Sequence, residues 1–320
     1  MQAAHPGAET LWTAERRADL GRRLDALCLE YGAGTLSSDP LQFVHRYSDP
    51  LDREAVGLIA ASLAYGRVGQ ILKSVEAVLA PLGPRPSAAI ASLGRAESLR
   101  IYARFRHRFN DGRDIACLLD LIHTMQRREG TIGAFFVRGD PGGATVEAAL
   151  ARFSESALAE ADARFYGRSN LPKDAGVRFF FPSPRDGSAV KRLNLYLRWM
   201  VRRPDDGLDF GIWEGISPAR LLIPLDTHVA RIARHLALTD AMQPSWAVVR
   251  EVTGRLSMLD PGDPVRYDYA LCRLGILERC PSRREPALCG ACLLRPACRH
   301  WSAAPARARQ DRPSAADTVE

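Results

Sequence analysis

The sequence predicts an all-α protein. Apolar residues recur at three- and four-residue spacing in one segment after another, Pro and Gly clusters end those segments, and no alternating apolar–polar stretch recurs. Residues 1–10 read as a flexible N-terminus. From Leu11 to Tyr31, Leu20, Leu24, Leu27 and Cys28 fall at helical spacing. Asp49-Pro50, followed by the acidic Asp52 and Glu54, opens a second helix through Val56, Ile59, Ala60 and Leu63. Tyr65-Gly66-Arg67-Val68-Gly69 interrupts it. A helical pattern resumes from Gln70 to Leu79, and Pro81, Pro84 and Pro86 end it.

Further helices are predicted over 87–107, 114–128, 131–137 and 145–163. The stretch 165–187, with Phe179-Phe180-Phe181 between Gly176 and Pro182, reads as a packed loop. A long helix over 189–203 and helices near 217–222, 226–238, 244–256 and 263–277 follow. The Ala-, Arg-, Pro- and Ser-rich stretch 301–320 reads as a disordered tail. Cys28, Cys117 and Cys272 lie in apolar helical contexts and read as buried.

The charge pattern narrows the chemistry. The net charge of +7 suits a polyanionic partner. Of 44 basic residues only Lys73, Lys173 and Lys191 are lysines. Arginine binds phosphate but keeps its proton, so amine chemistry has three side chains and the N-terminus to draw on. No apolar run reaches the length of a membrane span, and residues 1–15 lack the apolar centre of a signal peptide. A cytoplasmic protein with no membrane partner is expected, and there clustered cysteines are metal ligands before they are disulfides.

Three motifs carry chemistry. Lys191 stands at the head of an amphipathic helix in which Leu193, Leu197, Met200 and Val201 share one face, while Arg198 and Arg202 form a basic second face. Gly187-Ser188 precede it, where free backbone N–H groups can meet a phosphate. On its own the helix also fits an ordinary core element with a solvated lysine. Second, Pro224 stops one helix and Asp226 starts the next, whose buried stripe is Val229, Ile232, Ala233 and Leu236. Asp226 is an N-cap by position, a role compatible with catalysis because a carboxylate at a helix start stays ionised. Third, Cys280, Cys289, Cys292 and Cys298 give C-x8-C-x2-C-x5-C, a metal signal whose spacing fits both zinc and a [4Fe-4S] cluster. Two weaker signals are the loop residues Tyr65, Arg67 and Gln70, and the run Arg104-Phe105-Arg106-His107-Arg108-Phe109, which interleaves cations with aromatics as nucleic-acid surfaces do.

Taken together, Ser188-Ala189-Val190-Lys191-Arg192-Leu193-Asn194, Ile223-Pro224-Leu225-Asp226-Thr227-His228-Val229-Ala230-Arg231 and the cysteine cluster after the last helix resemble the helix-hairpin-helix (HhH-GPD) DNA glycosylase superfamily of endonuclease III. The nearest pattern is a bacterial branch with Lys-Arg-Leu-Asn and Pro-Leu-Asp-Thr-His motifs. The resemblance is diffuse from about 40 to 190 and strong from 188 to 298. Two departures stand out. Ser183-Pro184-Arg185-Asp186-Gly187-Ser188 replaces the usual Leu-Pro-Gly-x-Gly hairpin, and the Lys191–Asp226 separation (226 − 191 = 35) is longer than in endonuclease III, though comparable to the archaeal 8-oxoguanine glycosylase branch.

The resemblance implies two helical domains around a DNA-binding cleft. A helical barrel over 41–203 carries a hairpin-like element at 183–203. The other domain joins 11–40 to 204–300 and includes the metal loop 280–298. The implied activity is base excision of a flipped, damaged base with associated AP-lyase activity, Lys191 being the nucleophile and Asp226 the carboxylate. Arg192 is the cationic neighbour expected to help the amine lose its proton, whose reference pKa is about 10.4. The implied DNA contacts are Gly187, Ser188, Arg192, Arg67, Gln70, Arg283 and Arg284. The four cysteines would hold a [4Fe-4S] cluster, with zinc as the alternative. The expected partner is double-stranded DNA, bound by a nucleoid-associated monomer. The competing reading is a non-catalytic, metal-containing DNA-binding protein on the same scaffold.

Overall fold

The computed structural model describes residues 12–203, 207–277 and 279–302. The expected flexible N-terminus and the expected disordered tail from 303 onward lie outside the described residues. Among the described residues the protein is all-α apart from one hairpin of two-residue strands. No helix among the described residues is long and apolar enough to cross a membrane.

Helix starts follow local capping chemistry. Thr13 caps α1 (Ala14–Glu30), which buries Leu20, Leu24 and Leu27 and packs on α13 (Asp268–Ile276). After the single turn α2 (Leu41–Val44), Asp49 accepts from the Leu51 and Asp52 N–H groups and Pro50 takes the first position of α3 (Pro50–Ser62). Helix α3 is buried on every side from Glu54 to Ser62, as expected of a helix apolar all round. Its closest neighbour is α10 (Lys191–Val201). The approach is so tight at Gly57 that a Cβ there would stand 2.9 Å from Met200 Cε and 3.0 Å from Tyr196 Cε2.

Helix α3 also packs on α4 (Val68–Leu79), α5 (Pro86–Ser92), α7 (Gly112–Glu129) and α8 (Ile132–Arg138), while α6 (Arg95–Ile101) packs on α7 and α9 (Glu147–Glu160) on α7 and α8. Asp111 and Asp114 form a reciprocal capping box at the start of α7. The head of α8 is held by a carboxylate from the core. Glu54 accepts from Ile132 N at 2.9 Å, Gly133 N at 2.8 Å and Trp213 Nε1 at 2.6 Å. Burial pushes its carboxyl upward, and those three donors oppose the shift.

Helices α11 (Thr227–His235), capped by Asp226, α12 (Trp246–Ser257), capped by Ser245, and α13 follow, with the short helices α14 (Pro286–Gly290) and α15 (Arg299–Ser302) after them. The expected 301–302 part of the tail closes α15. Buried apolar side chains form one continuous cluster from Trp12 to Leu294.

Three expectations are corrected. The helix expected over 87–107 breaks at Leu93-Gly94 and ends at Ile101, and β1 (Arg106–His107) pairs antiparallel with β2 (Asn110–Asp111), His107 facing Asn110. The helix expected near 217–222 is a single tight turn, Pro218–Arg220. The loop 165–187 is packed as expected, but through the tight turns Gly176–Phe180 and Pro184–Asp186, with Phe180 and Phe181 buried.

Candidate active site

The chain enters α10 through two left-handed residues. Gly187 (φ 73) suits that conformation, whereas Val190 (φ 47), the N-cap, is β-branched and buried. Such a conformation costs a non-glycine residue on the order of 1–3 kcal/mol and is held only where the surroundings over-determine it. Here Trp246 N donates to Gly187 O at 2.9 Å, Val190 N donates to Ser188 Oγ at 3.3 Å, and the Val190 side chain is locked in the core. The strained turn fixes the direction in which the next residue, Lys191, leaves the helix.

Lys191 Nζ lies 3.6 Å from Asp226 Oδ2 and donates to Ala64 O at 3.3 Å. The two oxygens of Asp226 divide their tasks. Oδ1 accepts from His228 N at 2.9 Å and Val229 N at 2.8 Å, holding the carboxylate at the head of α11, while Oδ2 faces the amine. Both side chains remain partly open, Lys191 at 27% and Asp226 at 18%, so a ligand can reach them. The other lysines, Lys73 on α4 and Lys173 in the loop, are exposed, and neither makes an ion pair among the described residues.

Behind the pair lies a buried ionic network, in which Asp268 Oδ1 alone has no hydrogen-bond partner among the described residues. Arg198 donates to Asp209 Oδ1 at 3.1 Å and to Asp268 Oδ2 at 2.5 Å, and Arg202 pairs with Asp209 and Asp263. Arg198, Arg202, Asp209 and Asp268 are all buried. The basic second face expected for this helix therefore turns inward. Its partners lie 7 to 70 residues along the chain, beyond any local pattern. Burial pushes the Asp268 carboxyl up to about 6. Arg198 opposes that shift, the negative Asp226 adds to it and Lys191 opposes it. Asp268 and Cys272, one turn apart on α13, thus form the electrostatic floor of the site, and burial together with Asp226 holds the Cys272 thiol up at about 12. Of the three cysteines expected to be buried, Cys117 is, while Cys28 and Cys272 are partly exposed at the residue level.

Arg192 is also corrected. It is expected at a phosphate and as the cation beside the lysine amine, yet it is 8% exposed. Its guanidinium donates to Ser62 O at 3.1 Å and to Phe179 O, and lies 3.6 Å over the Phe179 ring and 5.2 Å from the Tyr65 ring. Burial pulls it down to about 10, with Tyr65 opposing, so it stays charged near neutrality. Arg192 fastens the loop around Phe179 to α3. Gly187, Ser188, Arg67 and Gln70 are exposed, and Gln70 Nε2 donates to Ser74 Oγ at 3.2 Å. Arg283 is exposed, whereas Arg284 is half-buried and donates to His300 O at 3.0 Å.

The four cysteines line one pocket, walled by Ile232, Leu236, Leu274 and Leu294 with Arg279 and Arg295 at its edge. Among the described residues no group of three or more Cys, His, Asp or Glu converges closely enough to hold a single metal ion. Four thiolates on one zinc would each stand about 2.3 Å from it. Burial raises the Cys280 thiol to about 11, with Arg231 opposing and the other three cysteines adding to the shift. Arg231 Nη2 donates to Cys280 O at 2.8 Å, which ties the Asp226 helix to this segment. Sequence reasoning missed His235, whose Nδ1 lies 3.5 Å from Cys280 Sγ and whose ring stacks on His300 at 4.2 Å. Its position on the apolar face of α11 was the available signal.

The chain matches the family described as protein of unknown function (DUF2400) over residues 39–277 and belongs to it. Lys191 and Asp226 fall inside the matched span, and the four cysteines lie beyond it. No curated protein and no solved structure matches the chain.

Proposed function

We propose that this protein is a base-excision DNA glycosylase with associated AP-lyase activity. The observation that carries the reading is the contact of Lys191 Nζ with Asp226 Oδ2, an amine and a carboxylate held together at the edge of a structured, partly open site. The resemblance of the surrounding motifs to the helix-hairpin-helix glycosylases supports it. Double-stranded DNA would lie between the 41–203 region and the joined 11–40 and 204–300 regions, with exposed Gly187, Ser188, Arg67, Gln70 and Arg283 facing phosphates.

In this mechanism Asp226 Oδ2 takes a proton from the Lys191 ammonium, and the free amine attacks C1′ of the sugar. The N-glycosidic bond breaks as the C–N bond to Lys191 forms. The base leaves with the bonding pair and takes up the proton held by Asp226, which is again a carboxylate, and the sugar ring opens to a lysine imine as the attacking nitrogen loses a proton and the ring oxygen gains one. The carboxylate stabilises the positive charge that develops on the sugar, an interaction strongest in the transition state. Elimination of the 3′ phosphate from the imine, followed by hydrolysis, gives the lyase products and returns the amine.

Cys280, Cys289, Cys292 and Cys298 would hold a [4Fe-4S] cluster. Their common pocket, its apolar walls and the flanking arginines suit a thiolate-bound anionic cluster. When bound, the group cross-links a segment that has little core of its own. Iron and sulfide in protein purified without oxygen are expected, and stoichiometric zinc without iron would overturn that assignment.

A panel of duplexes, each carrying one damaged base, tests the activity. At least one should lose its base to the wild type, and Asp226→Asn should slow that release at least about a hundredfold while asparagine still caps α11. Salt-sensitive duplex binding with no release from any lesion would favour the non-catalytic DNA-binding reading.

A further inference from the structure

The hairpin at Arg106–Asp111 carries a feature that the lysine–aspartate chemistry does not use. Phe109, at its tip, is 61% exposed, an unusual state for a phenylalanine held this firmly. Its ring stacks on Tyr65 (centroids 5.3 Å apart, planes at 24°) and meets the edge of Phe179 at 4.4 Å. Tyr65 is fixed from behind. Its hydroxyl donates to His107 O at 3.0 Å and Asn110 Oδ1 at 2.5 Å, and Asn110 is bound in turn to Asp114 Oδ2 and Gly176 O. Arg108, before Phe109, has φ 55, which sets the turn.

The charges around the ring are also unspent. Arg104, Arg106 and Arg108 are exposed, and none has a carboxylate partner among the described residues. The hairpin stands beside the lysine, since Lys191 binds the carbonyl of Ala64, next to Tyr65, and Arg192 bridges Tyr65 and Phe179.

We infer that Phe109, backed by Tyr65 and Phe179, is a stacking platform for one unpaired nucleobase, with Arg104, Arg106 and Arg108 on the flanking phosphates. A planar base matches an open aromatic face, and a polyanion answers three arginines without carboxylate partners, Arg106 and Arg108 on the hairpin and Arg104 just before it, of which Arg106 also donates to Phe105 O at 2.7 Å. The inference rests on the reading that the partner is DNA and adds which side chains receive an unpaired base and its flanking phosphates.

The test compares the full chain binding two duplexes of the same sequence, one fully paired and one with a single unpaired base, by fluorescence anisotropy. Phe109→Ala should weaken binding of the unpaired-base duplex about tenfold, leave the paired duplex within about twofold, and Phe109→Trp should restore the preference. Arg106→Gln should weaken both duplexes and lower the salt slope by about one. Equal affinity of wild type for both duplexes, or no selective loss in Phe109→Ala at unchanged melting temperature, overturns the platform. The two readings fail separately. Base release by wild type that Phe109→Ala binding does not track removes the platform alone. A Phe109-dependent preference with no release from any lesion removes the glycosylase alone.

Discussion

The lysine–aspartate site and the four-cysteine segment lie at opposite ends of α11, yet they are held in different ways. Around Lys191, the supporting charged side chains find partners within the protein. Asp226 is bound by two backbone N–H groups, Arg192 by two carbonyls and a ring, and Arg198 by two buried aspartates. Around Cys280–Cys298 the helices are five and four residues long, and Leu294 is the one apolar side chain of 280–302 that is fully buried. Helices that short are not stable alone. The first region is organised by the chain, whereas the second would be organised by the cluster proposed for its thiols, so damage to each should spread differently.

The largest effect should come from the buried network. Arg198→Leu leaves Asp268 without its cation and Asp209 with Arg202 alone, and should cost about 3–5 kcal/mol, a large part of a typical domain's stability. Denaturant unfolding checks this, and a loss below about 1 kcal/mol would mean that the pairs are not closed in solution. Next, Cys292→Ser should release the proposed metal group and loosen the 279–302 segment, so that trypsin cuts after Arg283, Arg284 and Arg295 faster than in wild type while the 12–277 core resists cleavage. If the whole chain melts with the metal, the contrast between the regions is wrong.

A smaller effect is set by pH. His107 is buried, with Nδ1 2.8 Å from Ser74 Oγ and Nε2 3.0 Å from Tyr65 O, and burial holds it below the ordinary histidine value of 6.5. Below pH 6.5 the unfolded chain therefore binds more protons at this residue than the folded one, and stability falls as pH falls. Between pH 7 and 5 the wild type should lose more stability than His107→Asn. Parallel curves for the two would show that His107 does not titrate on unfolding.

Much of the helical order was legible because helix starts are local chemistry. Asp49-Pro50 and Asp226 cap where the sequence places them. The break at Leu93-Gly94 and the hairpin after it were not, because Ile101, Tyr102 and Phe105 keep a spacing that also fits a helix. The burial of Arg192, Arg198 and Arg202 was hidden for another reason. Their partners are distant carboxylates, carbonyls and rings, and an arginine-rich helix with unseen partners looks solvent-facing. The nearness of Lys191 to Asp226, 35 residues apart, was legible only through the resemblance of the two motifs.

The central claim is that Lys191 is the amine nucleophile, and borohydride trapping tests it most directly. Wild type incubated with duplexes carrying damaged bases or an abasic site should give a covalent protein–DNA adduct on reduction, because only an amine forms a reducible imine. Lys191→Gln should abolish the adduct, and Lys173→Gln and Lys73→Gln should retain it. An adduct that survives Lys191→Gln and disappears with Lys173→Gln would contradict the account, as would base release by wild type with no adduct at all.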